Sequence, residues 1–238
     1  MTLPIRLKNS PLIEAIAEVK FTPSYQPDAV LGVIISQLRQ EIIREVIPLP
    51  ASQIPLEIRQ QDLNLKFEAT HQILLNEQNQ SLLVGPNVFS FSNTEPYIGW
   101  SNFKKQSLSL LNMVMPSKLF QKIDGYTLRY INFFTEDIYN NTTLQITIGE
   151  KNLTGKKLFT LDKTESNFNT SFTITNNASL PILMKQGSVI DVSTKLDMGK
   201  TKLEQDRIEE TLEESHTIIK GTFFGLLEDA YIKTFGPE

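Results

Sequence analysis

The strictest pattern in this chain is the alternation from Leu12 to Phe21. Ile13, Ala15, Ala17, Val19 and Phe21 fall on one side; Leu12, Glu14, Ile16, Glu18 and Lys20 fall on the other. A period of two is that of a β-strand, and a wholly apolar side is what a strand needs to cover a core. Glu14 and Glu18 interrupt the second side, although glutamate is depleted from strand interiors. The rest of the chain must supply partner strands for this segment and a layer to close over its apolar side.

Pro27 and Asp28 open a helix, and Val30, Leu31, Ile34, Ile35, Leu38, Ile42 and Val46 recur at helical spacing until Pro48. Short strands are predicted over 56–58, 63–67, 72–75, 81–84 and 88–91. Turn-forming residues at 76–79 and 85–87 make this block an antiparallel meander. A second helix spans 100–115, with Phe103, Leu108, Leu111 and Val114 facing inward, and ends at Pro116. The continuously apolar stretch 126–134 reads as a central strand buried on both faces.

Further strands are expected over 144–148, 157–161, 168–174 and 188–192. A polar stretch follows at 197–202. A closing helix runs over 203–234, with a kink at Gly221. Leu203, Ile208, Leu212, Ile219, Phe223, Leu226 and Tyr231 form its apolar side, and Glu209, Glu210, Glu213 and Glu214 its solvent side. Because strands cluster instead of alternating with helices, the fold class is α+β with mainly antiparallel strands. Two packed sheet-and-helix halves are expected, 1–135 and 136–238.

Composition excludes several chemistries. The 238 residues carry a net charge of −4, so the surplus of Lys and Arg that nonspecific DNA binding wants is missing. With no cysteine there is no thiolate zinc site, disulfide or Cys nucleophile. The first residues lack a signal-like apolar run, and no stretch has the roughly 18 apolar residues of a membrane span, so a cytoplasmic protein is expected.

Asn9-Ser10-Pro11-Leu12-Ile13-Glu14-Ala15, followed by a strand ending in Phe21, resembles the opening of a sporadically distributed bacterial and archaeal family of proteins of about 250 residues with no assigned activity. The resemblance continues through Leu83-Val84-Gly85-Pro86-Asn87-Val88, Tyr97-Ile98-Gly99-Trp100 and Leu128-Arg129-Tyr130-Ile131-Asn132. It ends with Ile190-Asp191-Val192 and a closing helix bearing His216, Phe223 and Phe224. It carries over no catalytic residue. The family's patchy distribution implies mobile elements, defence islands or toxin–antitoxin loci.

The residues themselves offer few sites. His71 reads as a turn or strand-surface residue and His216 as a core-edge histidine, and their positions give no metal-ligand spacing. Glu14 and Glu18 would stand about 13 Å apart on an extended strand. That is too far for a glycosidase pair, which leaves solvated charge or a contact surface for a partner. The stretch Gly149-Glu150-Lys151-Asn152-Leu153-Thr154-Gly155-Lys156 misses the phosphate-loop spacing by one residue and lacks its hydroxyl.

Trp100, Phe103, Lys104 and Lys105, with Arg129 and Tyr130, could stack bases and hold phosphate. Tandem sheet-and-helix halves of this length also resemble CRISPR repeat-processing endoribonucleases, but those carry a Gly-rich loop where this chain has an apolar helix. A groove lined by Phe133, Phe134, Phe223 and Phe224 could take an extended peptide.

The expectation is a non-enzymatic binding or regulatory component with no cofactor or metal. Its partner would be a protein, such as a toxin or defence effector encoded nearby. Glu14, Glu18, Trp100, Lys104, Lys105 and Arg129 are the candidate contact residues. RNA binding or processing and chaperone-like peptide holding are the rivals. The closing helix's apolar side could equally join a homodimer.

Overall fold

The structure, a computed structural model, describes residues 3–148, 151–152, 154–180, 185–196 and 207–238. Its strands are β1 (Leu12–Pro23), β2 (Ile43–Pro48), β3 (His71–Leu75), β4 (Gln80–Gly85), β5 (Val88–Thr94), β6 (Phe120–Phe134), β7 (Thr147–Ile148), β8 (Lys151–Asn152), β9 (Leu158–Glu165), β10 (Phe168–Leu180) and β11 (Lys185–Leu196). Its α-helices are α1 (Val30–Gln37), α2 (Leu56–Gln61), α3 (Leu63–Lys66), α4 (Trp100–Val114), α5 (Ile208–Leu226) and α6 (Asp229–Thr234). Nine strands form one antiparallel sheet in the order β2-β3-β4-β5-β1-β6-β11-β10-β9, and β7 pairs with β8 separately. The fold is α+β, as its clustered strands predict. The two expected halves share this sheet, because β6 pairs with β1 on one side and β11 on the other.

The alternation in β1 sets the middle of the sheet. Ala15, Ala17, Val19 and Phe21 are buried against the helical layer. Their cross-strand partners Phe91, Phe89, Leu128 and Tyr126 are buried with them. Paired residues share a face of a pleated sheet, so one row of contacts runs from Leu82 through Phe91, Ala17 and Leu128 to Thr194. Above this face lie α1 over β4, α4 over β5, and α5 over β6, β10 and β11.

The pattern fails at the first two positions of β1. Leu12 is buried and Ile13 half-exposed, the reverse of the expectation. Leu12 pairs with Asn132 but Glu14 with Ile131, so Ile13 is an extra residue in the ladder. Such a bulge exchanges the sides of everything before it.

Other expectations are corrected by pairing. The first helix stops at Gln37, and residues 43–48 form β2 on β3, with Ile43 opposite Leu75 and Val46 opposite Ile73. The β-branched residues Ile42, Ile43, Val46 and Ile47 suit an edge strand as well as they suit a helix face, and the partner strand decides. Segments 56–61 and 63–66 are helical instead of extended, the first opened by the Pro55 carbonyl accepting from the Ile58 and Arg59 amides.

β6 is longer than expected and internal; over 126–130 only one face is covered, with Tyr126, Leu128 and Tyr130 buried and Arg129 exposed, whereas Asn132, Phe133 and Phe134 at its end are buried on both faces. Of 144–148, only Thr147–Ile148 is a strand. The closing helix breaks at Leu227 and Glu228, between α5 and α6, and not at Gly221. The stretch 197–202, the expected helix start at Leu203, and Gly149, Glu150 and Leu153 lie outside the described residues. No helix among the described residues is long and apolar enough to cross a membrane.

Candidate functional site

A cavity of about 870 Å³ opens where α5 passes the end of β6. Five stretches of chain build its walls, which include Asn9 to Leu12, Tyr97 to Trp100, Tyr130 with Asn132 to Glu136, His216, Lys220, Phe223 and Phe224 of α5, and Tyr231, Phe235 and Glu238 beyond it. These are largely the segments on which the family resemblance rests, brought from distant parts of the sequence to one place.

Local structure explains how each wall is set. The Asn93 side chain is fully buried in β5; its Oδ1 accepts from the Ile98 amide at 3.0 Å, and its Nδ2 donates to the Asn79 and Thr94 carbonyls. It thereby pins the loop that leads into α4. Gly99 then takes φ +84° at the helix N-cap, where a side chain would be strained, and its carbonyl accepts from Phe103. This turn delivers Trp100 onto α5. The opposite rim is a strap in which residues 5–9 exchange backbone hydrogen bonds with residues 235–238, reinforced by an Arg6–Glu238 ion pair at 2.5 Å.

Trp100 and His216 stack face to face, ring centres 3.9 Å apart and planes 6° from parallel. The His216 Nδ1 is hydrogen-bonded to the Tyr130 hydroxyl at 2.9 Å. Burial, and then the nearby Lys220 ammonium, lower the His216 pKa to about 4 against the pull of Glu213. The imidazole is neutral at pH 7.

Glu213 ties α4 to α5. It accepts from Trp100 Nε1 at 3.0 Å and from Lys104 Nζ at 2.6 Å, while Lys104 also meets Glu209 at 3.2 Å. Burial alone would raise the Glu213 pKa, but these hydrogen bonds outweigh it and the net shift is downward. At the far end, Phe134, Tyr231 and Phe235 form an aromatic cluster, and the Tyr231 hydroxyl donates to Glu136.

The six candidate contact residues do not form one patch. Trp100 and Lys104 belong to the helical layer. Lys105, on α4, is exposed beside Asn102 and Gln106, away from the large cavity. Glu14, Glu18 and Arg129 lie on the opposite face of the sheet, which is exposed at Arg129 but half-buried at Glu14 and Glu18. There Ser92 and Ser90 donate to Glu14 and Glu18 at 2.6 and 3.3 Å, and Arg129 makes a two-pronged ion pair with Asp191. Arg129 and Tyr130, neighbours on a strand, necessarily face opposite ways. His71 starts β3, with its Nδ1 3.0 Å from the Thr70 hydroxyl. By contrast, Phe133, Phe134, Phe223 and Phe224 all border the cavity.

Lys220 is absent from the residues that the sequence singles out, and Glu213, expected on the solvent side, is bonded to α4. Both were visible in the helical stripe 209, 213, 216 and 220, whose spacing places all four on one side of α5. Comparison with protein-family models and with curated proteins finds no match to this chain.

Proposed function

We propose that this chain is a non-enzymatic, protein-binding component that holds an extended apolar segment of its partner in the cavity between α5 and β6. The observation that carries the reading is the aromatic wall formed by Phe134, Phe223 and Phe224, with Phe133 at its edge, around a space of about 870 Å³. That size lies within the range of ligand sites, and aromatic walls supply large contact areas to apolar side chains. A toxin or defence effector encoded nearby is the partner that the family resemblance implies.

The RNA reading has less support. Phe103 is fully buried, Tyr130 faces the core, and two carboxylates meet the Lys104 charge. Of the residues that reading needs on α4, Lys105 alone keeps an exposed, uncompensated charge among the described residues.

Trp100 is the only tryptophan, so its emission reports directly on the cavity. Titration with an unstructured apolar nonapeptide should shift that emission saturably, and Phe224→Glu should weaken the binding by about tenfold or more. A flat titration with apolar peptides, or equal binding of a polar one, would contradict the reading.

A further inference from the structure

The cavity holds two hydrogen-bond donors with no acceptor of their own. Lys220 stands one helical turn after His216, so both project from the same side of α5 into the cavity wall. Among the described residues no carboxylate lies within ion-pair distance of Lys220. The acids around it are largely committed elsewhere. Glu213 is taken by Lys104 and Trp100, Glu238 by Arg6, and Glu136 by Tyr231 and Thr135. Glu95 and Lys8 also border the cavity, from the loop before Tyr97 and from the strap.

The second donor follows from the hydrogen-bond network. The Tyr97 hydroxyl is buried without a well-formed partner, and its ring packs against that of Tyr130, centroids 6.2 Å apart; burial first, and then Tyr97, oppose ionisation of the Tyr130 hydroxyl. If the Tyr130 hydroxyl turns its proton toward His216 Nδ1, its oxygen is free to face the Tyr97 proton. Both hydroxyl protons are then directed at acceptors, a better arrangement than the reverse one. Nδ1 of the neutral imidazole is then the acceptor, so the remaining proton sits on Nε2. Nε2 has no protein partner among the described residues.

We propose that the cavity reads the free C-terminal carboxylate of an apolar peptide, with the Lys220 ammonium and the His216 Nε2–H as the groups that meet it. A carboxylate has two oxygens to offer two donors. The aromatic wall takes the side chains that precede it. Lys220 and Lys8 against Glu95 leave the cavity one net positive charge beyond its paired groups, which suits one negative charge better than the two of a phosphate. This assignment rests on the peptide-holding reading and sharpens it.

The test follows Trp100 emission in the full chain with acetyl-Leu-Phe-Leu-Phe as its free acid, the same peptide as its C-terminal amide, and dodecanoate. The acid should bind about tenfold tighter than the amide at low ionic strength, as a charge-assisted contact predicts. Lys220→Met should bring that ratio near one, and Lys220→Arg should restore most of it. Equal binding of acid and amide would overturn the carboxylate assignment while leaving the peptide reading intact. Binding of dodecanoate with neither peptide form would show the carboxylate to come from a free acid and would overturn the assignment. No binding of either peptide would sink both.

Discussion

Gly187→Ala is expected to destabilise this protein by about 3 kcal/mol, a large loss for a single added methyl group. Gly187 lies at the start of β11, where the chain first meets β6. A β-carbon there would sit 2.1 Å from the Phe134 carbonyl oxygen and 2.9 Å from the Phe133 ring. The first of these is backbone and cannot rotate away, so the two strands must part. The disturbance reaches the neighbouring Ser188, which is fully buried, donates to the Glu136 carbonyl at 2.6 Å and accepts from the Ile138 amide at 3.0 Å.

Urea unfolding measures the effect, and Gly32→Ala supplies the contrast. Gly32 lies in α1 with nothing within 4 Å of an added β-carbon, so alanine there should stabilise by about 0.5–1 kcal/mol through helix propensity. Equal effects at the two glycines would refute the close approach of β11 to β6.

The second large effect is a loss of stability in mild acid that depends on His216. Its pKa falls from 6.5 to about 4 on folding, because burial and Lys220 oppose the charged form. The unfolded chain therefore takes up this proton first. The contribution is unchanged above pH 6.5, declines as the pH falls toward 4, and then levels off. After a discount for partial exposure, about 2 kcal/mol should disappear across that window.

The groups acting on the ring are Lys220 and Glu213 from α5, Trp100 and Lys104 from α4, and Tyr130 and Tyr97 from β6 and the loop before α4. His71 is also lowered, by burial and then Arg59, and adds to the acid sensitivity with the same sign. The His216 part is isolated by comparing His216→Gln with the parent at pH 7 and pH 4.5. The variant should lose less stability between these values; equal losses would mean that His216 is not held neutral.

Much of the fold is legible where local pattern and tertiary demand agree. The β1 alternation identifies the core face because one side is buried under helices and the other is only half-buried. The pattern is silent on the Ile13 bulge, which depends on how β6 aligns with β1. In the stretch from Ile42 to Ile47, apolar residues fit a helix face and an edge strand alike, and only pairing with β3 separates them. That both halves share a sheet rests on β6 meeting β11, a contact between segments far apart in sequence that no local signal encodes.

The site is legible to a similar degree. Four phenylalanines suggest a groove by their chemistry and by their places on a strand end and a helix. The roles of Trp100, Glu213 and Lys220 emerge only when α4 is laid against α5. Glu209 and Glu213 then face Lys104, while Glu210 and Glu214, from the same acidic run, remain exposed.

The central claim is that a partner segment occupies the cavity beside α5 and not the face of the sheet that bears Glu14, Glu18 and Arg129. The most direct measurement is photo-crosslinking of the full chain with an apolar free-acid peptide carrying a benzophenone, followed by mass spectrometry of the joined residues. The account predicts cross-links at Phe223 and Phe224, at residues 97–100 and at residues 9–12, all competed away by unlabelled peptide. Cross-links concentrated around Glu14, Glu18 and Arg129 would contradict it and assign binding to that opposite face.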